Sequence, residues 1–139
     1  MSRDAIIAEA RSWIGTPYRH QASLKGVGAD CLGLLRGVWR GVIGAEPEAV
    51  PPYGDQQRDE LLLAAARRNL RELPSLAFRG GDVLLFRWLE HLPARHVGIA
   101  TSAAAMVHAQ SGCAVAEVPL DGWWRGRLVA VFEFLEMSE

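Results

Sequence analysis

The 139-residue sequence has no long apolar run; its longest unbroken hydrophobic stretch is Leu61–Ala66. A helix crossing a bilayer needs about 20 such residues, so a helical membrane span is excluded. The first residues interleave Asp4 and Glu9 with a short apolar stretch and do not read as a secretory signal, so synthesis in the cytoplasm is expected. Cysteine is scarce. Cys31 and Cys113 are too few for a disulfide-stapled scaffold, and each is read singly. An excess of one charge is also missing: 15 basic residues face 16 acidic ones, for a formal charge of -1. The basic residues are scattered, with no run longer than Arg67-Arg68. That removes the electrostatic footprint of a nucleic-acid partner. There is no CxxC pair, and His91 and His96 are separated by Pro93 and cannot share a helical face, so zinc has little support. Gly26, Gly28 and Gly33 do not follow a strand in phosphate-loop register, and no GxSxG elbow occurs.

What is present is a core-forming composition. Half the residues are hydrophobic and 22% are charged, which excludes a disordered chain. The length suits one domain over 1–139. The first half reads as helical. Ile6, Ile7, Ala10, Trp13 and Ile14 fall on one stripe of a helix from Asp4 to Ile14, which Gly15 and Pro17 stop. A glycine-rich loop, 16–29, follows. Asp30 is placed to cap a second helix with Leu34, Leu35, Val38 and Trp39 inward and Gly41 and Gly44 at its end. Prolines 47, 51 and 52 make 46–54 a loop, and Asp59 is placed to cap a third helix reaching about Leu70.

After Pro74 the pattern turns to strands: Val83–Phe86, His96–Thr101, Ala105–Ala109, Val115–Val118 and Arg127–Leu135. In the last, Leu128, Ala130, Phe132 and Phe134 share a parity. Short connections favour antiparallel neighbours. Helices first and strands after predict an α+β fold rather than an alternating one.

Cys31 is the first residue to explain. At a helix start the partial positive charge of the helix end favours the thiolate, which is the nucleophile. The unpaired N–H groups of the first turn can also donate to an oxyanion beside the sulfur. Spacing alone equally allows a small buried hydrophobe. His96 opens one strand and His108 lies in the next, so their rings can meet, one orienting the other through the nitrogen opposite the thiol. Two partly buried histidines bonded to main chain would look the same. His20 and His91 sit in polar loops and read as solvated. Cys113 reads as ordinary packing. Trp123-Trp124, with Arg125 and Arg127, reads either as packing beside a strand or as a carbohydrate platform facing a cell wall.

Several stretches fall into one pattern together. These are Ser12-Trp13-Ile14-Gly15-Thr16-Pro17-Tyr18, Gly28-Ala29-Asp30-Cys31-Leu32-Gly33-Leu34, Gly81-Asp82-Val83-Leu84-Leu85-Phe86, Arg95-His96-Val97-Gly98-Ile99 and Met106-Val107-His108-Ala109. Their order and spacing resemble the NlpC/P60 family of papain-like cysteine peptidases over nearly the whole chain. The resemblance implies N-terminal helices packed on an antiparallel sheet of about five strands. It implies Cys31 as nucleophile, His96 as general base and His108 as the polar residue orienting that base. Tyr18 matches a tyrosine whose hydroxyl lies near the nucleophile, and Asp30 an acidic residue lining the substrate groove. The implied reaction is hydrolysis of peptidoglycan stem peptides, typically between D-glutamate and a diamino acid, without metal or organic cofactor. An inert tail or wall-binding module, an amidase and an acyltransferase are the alternatives on the same fold. One departure stands out: the family commonly has Ser after the nucleophile, where this chain has Leu32. The Pro51-Pro52-Tyr53-Gly54 stretch and the Pro119–Arg125 ending resemble stand-alone peptidases encoded with phage-tail and gene-transfer-agent genes. That implies tail-particle proteins as partners and action in the periplasm after delivery by the particle.

Overall fold

The structure, a computed structural model, describes residues 1–54 and 60–135. Ser2 caps helix α1 (Arg3–Arg11) by accepting from the Ala5 N–H, and Ile6 and Ala10 turn inward with Trp13 just beyond the helix. The predicted stripe fails at Ile14, which is exposed. The helix stops at Arg11, and Gly15 takes φ +92°, so the 3.6-residue period no longer governs the chain there. The glycine-rich loop is not structureless: β1 (Ser23–Leu24) and β2 (Gly28–Ala29) form a small antiparallel hairpin around Gly26.

Helix α2 (Cys31–Val42) begins as expected, with the Asp30 carboxylate accepting from the Gly33 N–H at 2.8 Å. Gly41 does not end it. Gly33, Gly37 and Gly41 recur every four residues and form one face against which the preceding chain packs. A Cβ at Gly33 would stand 1.8 Å from the Ala22 carbonyl oxygen, and one at Gly37 1.9 Å from the Trp13 ring. Glycine here brings α1 and the hairpin against the start of α2, which sets the position of Cys31. In α3 (Leu61–Asn69) the expected cap, Asp59, lies outside the described residues, and Glu60 stands at the cap position without a capping side-chain bond.

The main sheet has the five expected strands: β4 (Val83–Phe86), β5 (His96–Ala100), β6 (Ala105–His108), β7 (Ala116–Pro119) and β8 (Leu128–Glu133). A two-residue strand, β3 (Arg71–Glu72), adds a sixth, and a short helix, α4 (Gly122–Arg125), enters where the sequence suggested none. The order is β3-β8-β4-β5-β6-β7, every pairing antiparallel. The α+β class is therefore observed. One face of the sheet, with Leu85, Val97, Val107 and Phe132, packs on the helices. The other, with Leu84, Phe86, Met106 and Val131, is closed by Leu120, Trp124 and Phe78. The expected parity of β8 breaks at its start. Phe86 pairs with Leu128 while Leu85 pairs with Ala130, so a bulge turns Leu128 to the far face and Val129 to the helical one.

Candidate active site

Cys31 is the first residue of α2, so its position follows from the Asp30 cap. Asp30 is buried and does more than cap. One oxygen accepts from Gly33; the other accepts from the Gln21 N–H at 2.6 Å and the Tyr53 hydroxyl at 2.5 Å. It lines the pocket beside Cys31, yet its lone pairs are taken up by the protein itself. The Cys31 sulfur lies against the main chain at the start of β5, 3.7 Å from the Arg95 carbonyl oxygen and within reach of the Val97 N–H. Those two residues flank His96.

His96 shares its parity with Gly98 and Ala100, so its ring belongs to the sheet face away from α2. It is held there in an aromatic box. Trp124 stacks on it at 5.4 Å between centroids, Trp88 lies at 5.0 Å and Phe86 at 6.0 Å. The register pairing Gly98 with His108 brings the second imidazole alongside. His96 Nε2 and His108 Nδ1 are 2.8 Å apart, in a T-shaped arrangement. His96 Nδ1 is the ring nitrogen that His108 leaves unengaged; the ring lies across β5 from Cys31, and no hydrogen bond joins it to the sulfur among the described residues. Gly98 is what leaves room for this pairing, because the position it occupies is filled by the Met106 sulfur and the His108 Cβ. Among the described residues no group of three or more His, Cys, Asp and Glu side chains is arranged to hold a metal.

The electrostatics reverse one expectation. Burial pushes the Cys31 thiol up to about 12, outweighing the N–H groups of Val97, Leu32 and Cys31 itself, while the Asp30 charge adds to the rise. Burial holds His96 down at about 3, with a further contribution from His108, and His108 at about 4. The helix start alone favours a thiolate; the enclosure around the sulfur overrides it. At rest the thiol and both imidazoles are uncharged, on opposite faces of β5.

The enclosure comes from a strap the sequence shows only as a proline-rich loop. Residues 46–54 cross between α2 and α3. Glu46 anchors one end by accepting from Arg36 and Arg40, and Tyr53 anchors the other. Besides the Asp30 bond, the Tyr53 carbonyl accepts from the Gln21 amide, and the His20 ring nitrogen lies 2.8 Å from it. His20 is thus engaged rather than simply solvated, whereas His91 is exposed. Under the strap lies a pocket of roughly 340 Å³ whose walls include Cys31, Leu35, Trp39, Val50, Tyr53 and Leu62. Tyr18 lines the same pocket, half-buried and bridged to Ala29. Sequence reasoning missed Tyr53 as a site residue; the bond that gives it a role spans 23 positions and has no local signature. Cys113, read as packing, is exposed in a turn after β6 and takes no part.

Comparison with solved structures gives the same fold. An NlpC/P60 family protein from Bacillus cereus ATCC 10987 superposes with a TM-score of 0.71 at 19% identity, covering 97% of this chain and 41% of that one. The NlpC/p60 domain of the peptidoglycan hydrolase SagA gives 0.69 at 22% identity, covering 96% of this chain and 100% of that one. A protein from Staphylococcus aureus subsp. aureus Mu50, described as similar to lipoprotein and of the NLP/P60 family, gives 0.66 at 18%, covering 96% of this chain and 41% of that one. The chain therefore spans well under half the length of the Bacillus and Staphylococcus proteins. A search of curated proteins finds no match. A sequence model of the NlpC/P60 family matches residues 15–133, a span holding the capped cysteine, both histidines and every strand of the sheet, and the chain belongs to that family.

Proposed function

We propose that the protein is a cysteine peptidase that hydrolyses peptidoglycan stem peptides, with Cys31 as nucleophile, His96 as general base and His108 as the residue that orients it. The observation carrying this reading is the convergence at one end of β5. The sulfur of a helix-start cysteine touches the main chain on either side of His96, whose far nitrogen is engaged by His108. Family membership and the likeness to a peptidoglycan hydrolase domain support the substrate class.

The mechanism starts from the neutral pair. As the substrate amide fills the pocket and displaces the strap from the sulfur, the His96 ring turns from the far side of β5 toward Cys31 and takes the thiol proton on Nδ1, and His108, its partner through Nε2 at rest, orients it. The thiolate attacks the amide carbonyl, and the Cys31 N–H, in the unpaired first turn of α2, donates to the oxyanion, with the Tyr18 hydroxyl as second donor. His96 returns the proton to the leaving amine, and water then hydrolyses the thioester. The scissile bond we favour joins D-glutamate to the diamino acid, and the reaction needs neither metal nor organic cofactor. Leu32, where a serine is common, makes the pocket wall beside the nucleophile apolar. Delivery by a phage-tail or gene-transfer-agent particle into the periplasm is the cellular setting we propose, from the resemblance of the Pro51–Gly54 and Pro119–Arg125 stretches.

The enclosed neutral thiol is the observation favouring a second reading, a wall-binding module of the same fold without turnover. Mass analysis of fragments released from purified peptidoglycan separates the cases. The peptidase leaves a new free amine on the diamino acid. A free lactyl carboxylate would make the enzyme an amidase, and the absence of any fragment would favour the inert module.

A further inference from the structure

The Trp123-Trp124 motif divides between its two readings. Trp124 is buried against His96, but Trp123 is 47% exposed. Beside it opens a cleft of roughly 430 Å³ whose walls include Arg87, Trp88, Glu90 and Arg127. Trp123 adjoins two of these walls: its ring centroid is 6.1 Å from that of Trp88, and the Arg127 guanidinium carbon lies 3.8 Å from it. Arg127 is fixed in place by donating to the Trp123 carbonyl at 2.9 Å. Arg87 donates to the Glu90 carbonyl at 3.0 Å, while its Nε is buried with no hydrogen-bond partner among the described residues. The cleft thus combines indole surface with charged donors and a carboxylate, and it adjoins the aromatic box around His96.

We infer that this cleft is a saccharide subsite, taking an N-acetylated hexose of a peptidoglycan glycan strand. The inference rests on the peptidase reading above. A pyranose ring presents an apolar C–H face to an indole and a rim of hydroxyl and N-acetyl groups to Arg87, Glu90 and Arg127. Mixed aromatic and polar linings of this kind hold such ligands. Docking of another protein is disfavoured, because Leu89 and Trp123 are the large exposed apolar side chains here, among charges, and make too small an apolar patch. Ring contacts at 5.4 Å and 4.8 Å connect His96 through Trp124 to Trp123.

The test is binding, measured apart from hydrolysis. Full-length Cys31→Ala protein is titrated with a tetramer of N-acetylglucosamine and with peptide-free glycan strands, by tryptophan fluorescence and calorimetry. Saturable binding is expected, weakened at least tenfold by Trp123→Ala and by Arg127→Gln, and less by Trp123→Phe. No saturable binding of either sugar probe, or equal binding by Trp123→Ala with unchanged circular dichroism, would overturn the subsite. Sugar binding without peptidoglycan hydrolysis by the wild-type chain would keep the subsite and remove the peptidase reading. Hydrolysis without sugar binding would do the reverse.

Discussion

At the scale of single residues, the deciding fact is that burial outweighs the helix end at Cys31. A thiol raised to about 12 offers far less thiolate at neutral pH than an ordinary thiol near 8.5. The exposed Cys113 provides an internal reference. With iodoacetamide at pH 7.5, Cys113 should be alkylated first and Cys31 at least tenfold more slowly, read by peptide mass analysis. Tyr53→Phe, which removes the hydroxyl bond from the strap to Asp30, should narrow that gap. Faster labelling of Cys31 than of Cys113 in the wild-type chain would show that the sulfur is already ionised at rest. The places of Cys31 at a helix start and of His96 and His108 on adjacent strands were legible from the sequence because local pattern reveals element starts and strand positions. Tyr53 was not, since its partner lies across the fold; nor was the raised thiol, since enclosure is a property of the strap and α3 together.

At the scale of elements, helix α2 is the part on which the geometry most depends. Its start was readable from Asp30 and the apolar spacing that follows. Its three glycines were not, because their purpose is set by Ala22, Trp13 and Glu9, which approach from elsewhere. This gives a contrast between two glycine-to-alanine substitutions. Gly33→Ala drives a Cβ into a backbone carbonyl at 1.8 Å, whereas Gly98→Ala meets the end of the flexible Met106 side chain at 2.4 Å. Overpacking of this kind costs roughly 1–3 kcal/mol where neighbours can move, and more where they cannot. Urea unfolding should show Gly33→Ala as the more destabilised, by about 2 kcal/mol or more. Equal midpoints would contradict the close approach. The two-residue strands β1, β2 and β3 and the bulge near Leu128 escaped the sequence for a related reason: pairing partners, not propensity, make them.

At the scale of the molecule, the two histidines in the aromatic box tie the fold's stability to pH. Both are held below the unfolded value of 6.5, His96 at about 3 and His108 at about 4. Between these values the unfolded chain binds more protons than the folded one. Their contribution is therefore complete above about pH 6.5 and is lost as pH falls toward 4. Each unit of pH in that window is worth about 1.4 kcal/mol per group, so moving from pH 6.5 to 5 should cost on the order of 2 kcal/mol for each histidine. The carboxylates held low by their arginine partners, such as Glu46 and Glu117, release their share only below about 4.5 and do not confuse this window. A urea midpoint that stays constant from pH 6.5 to 5 would show that the rings are solvated.

The overall architecture, helices against an antiparallel sheet, followed from helices preceding strands in the chain, and the catalytic proposal follows from where that order brings the start of α2 and the start of β5. The most direct measurement is hydrolysis of a γ-D-glutamyl-diamino-acid peptide by the wild-type chain and by Cys31→Ala, compared at matched circular dichroism. Removing the nucleophile of a covalent mechanism should lower the rate by at least about 10³-fold. Turnover by Cys31→Ala at the wild-type rate would contradict the account.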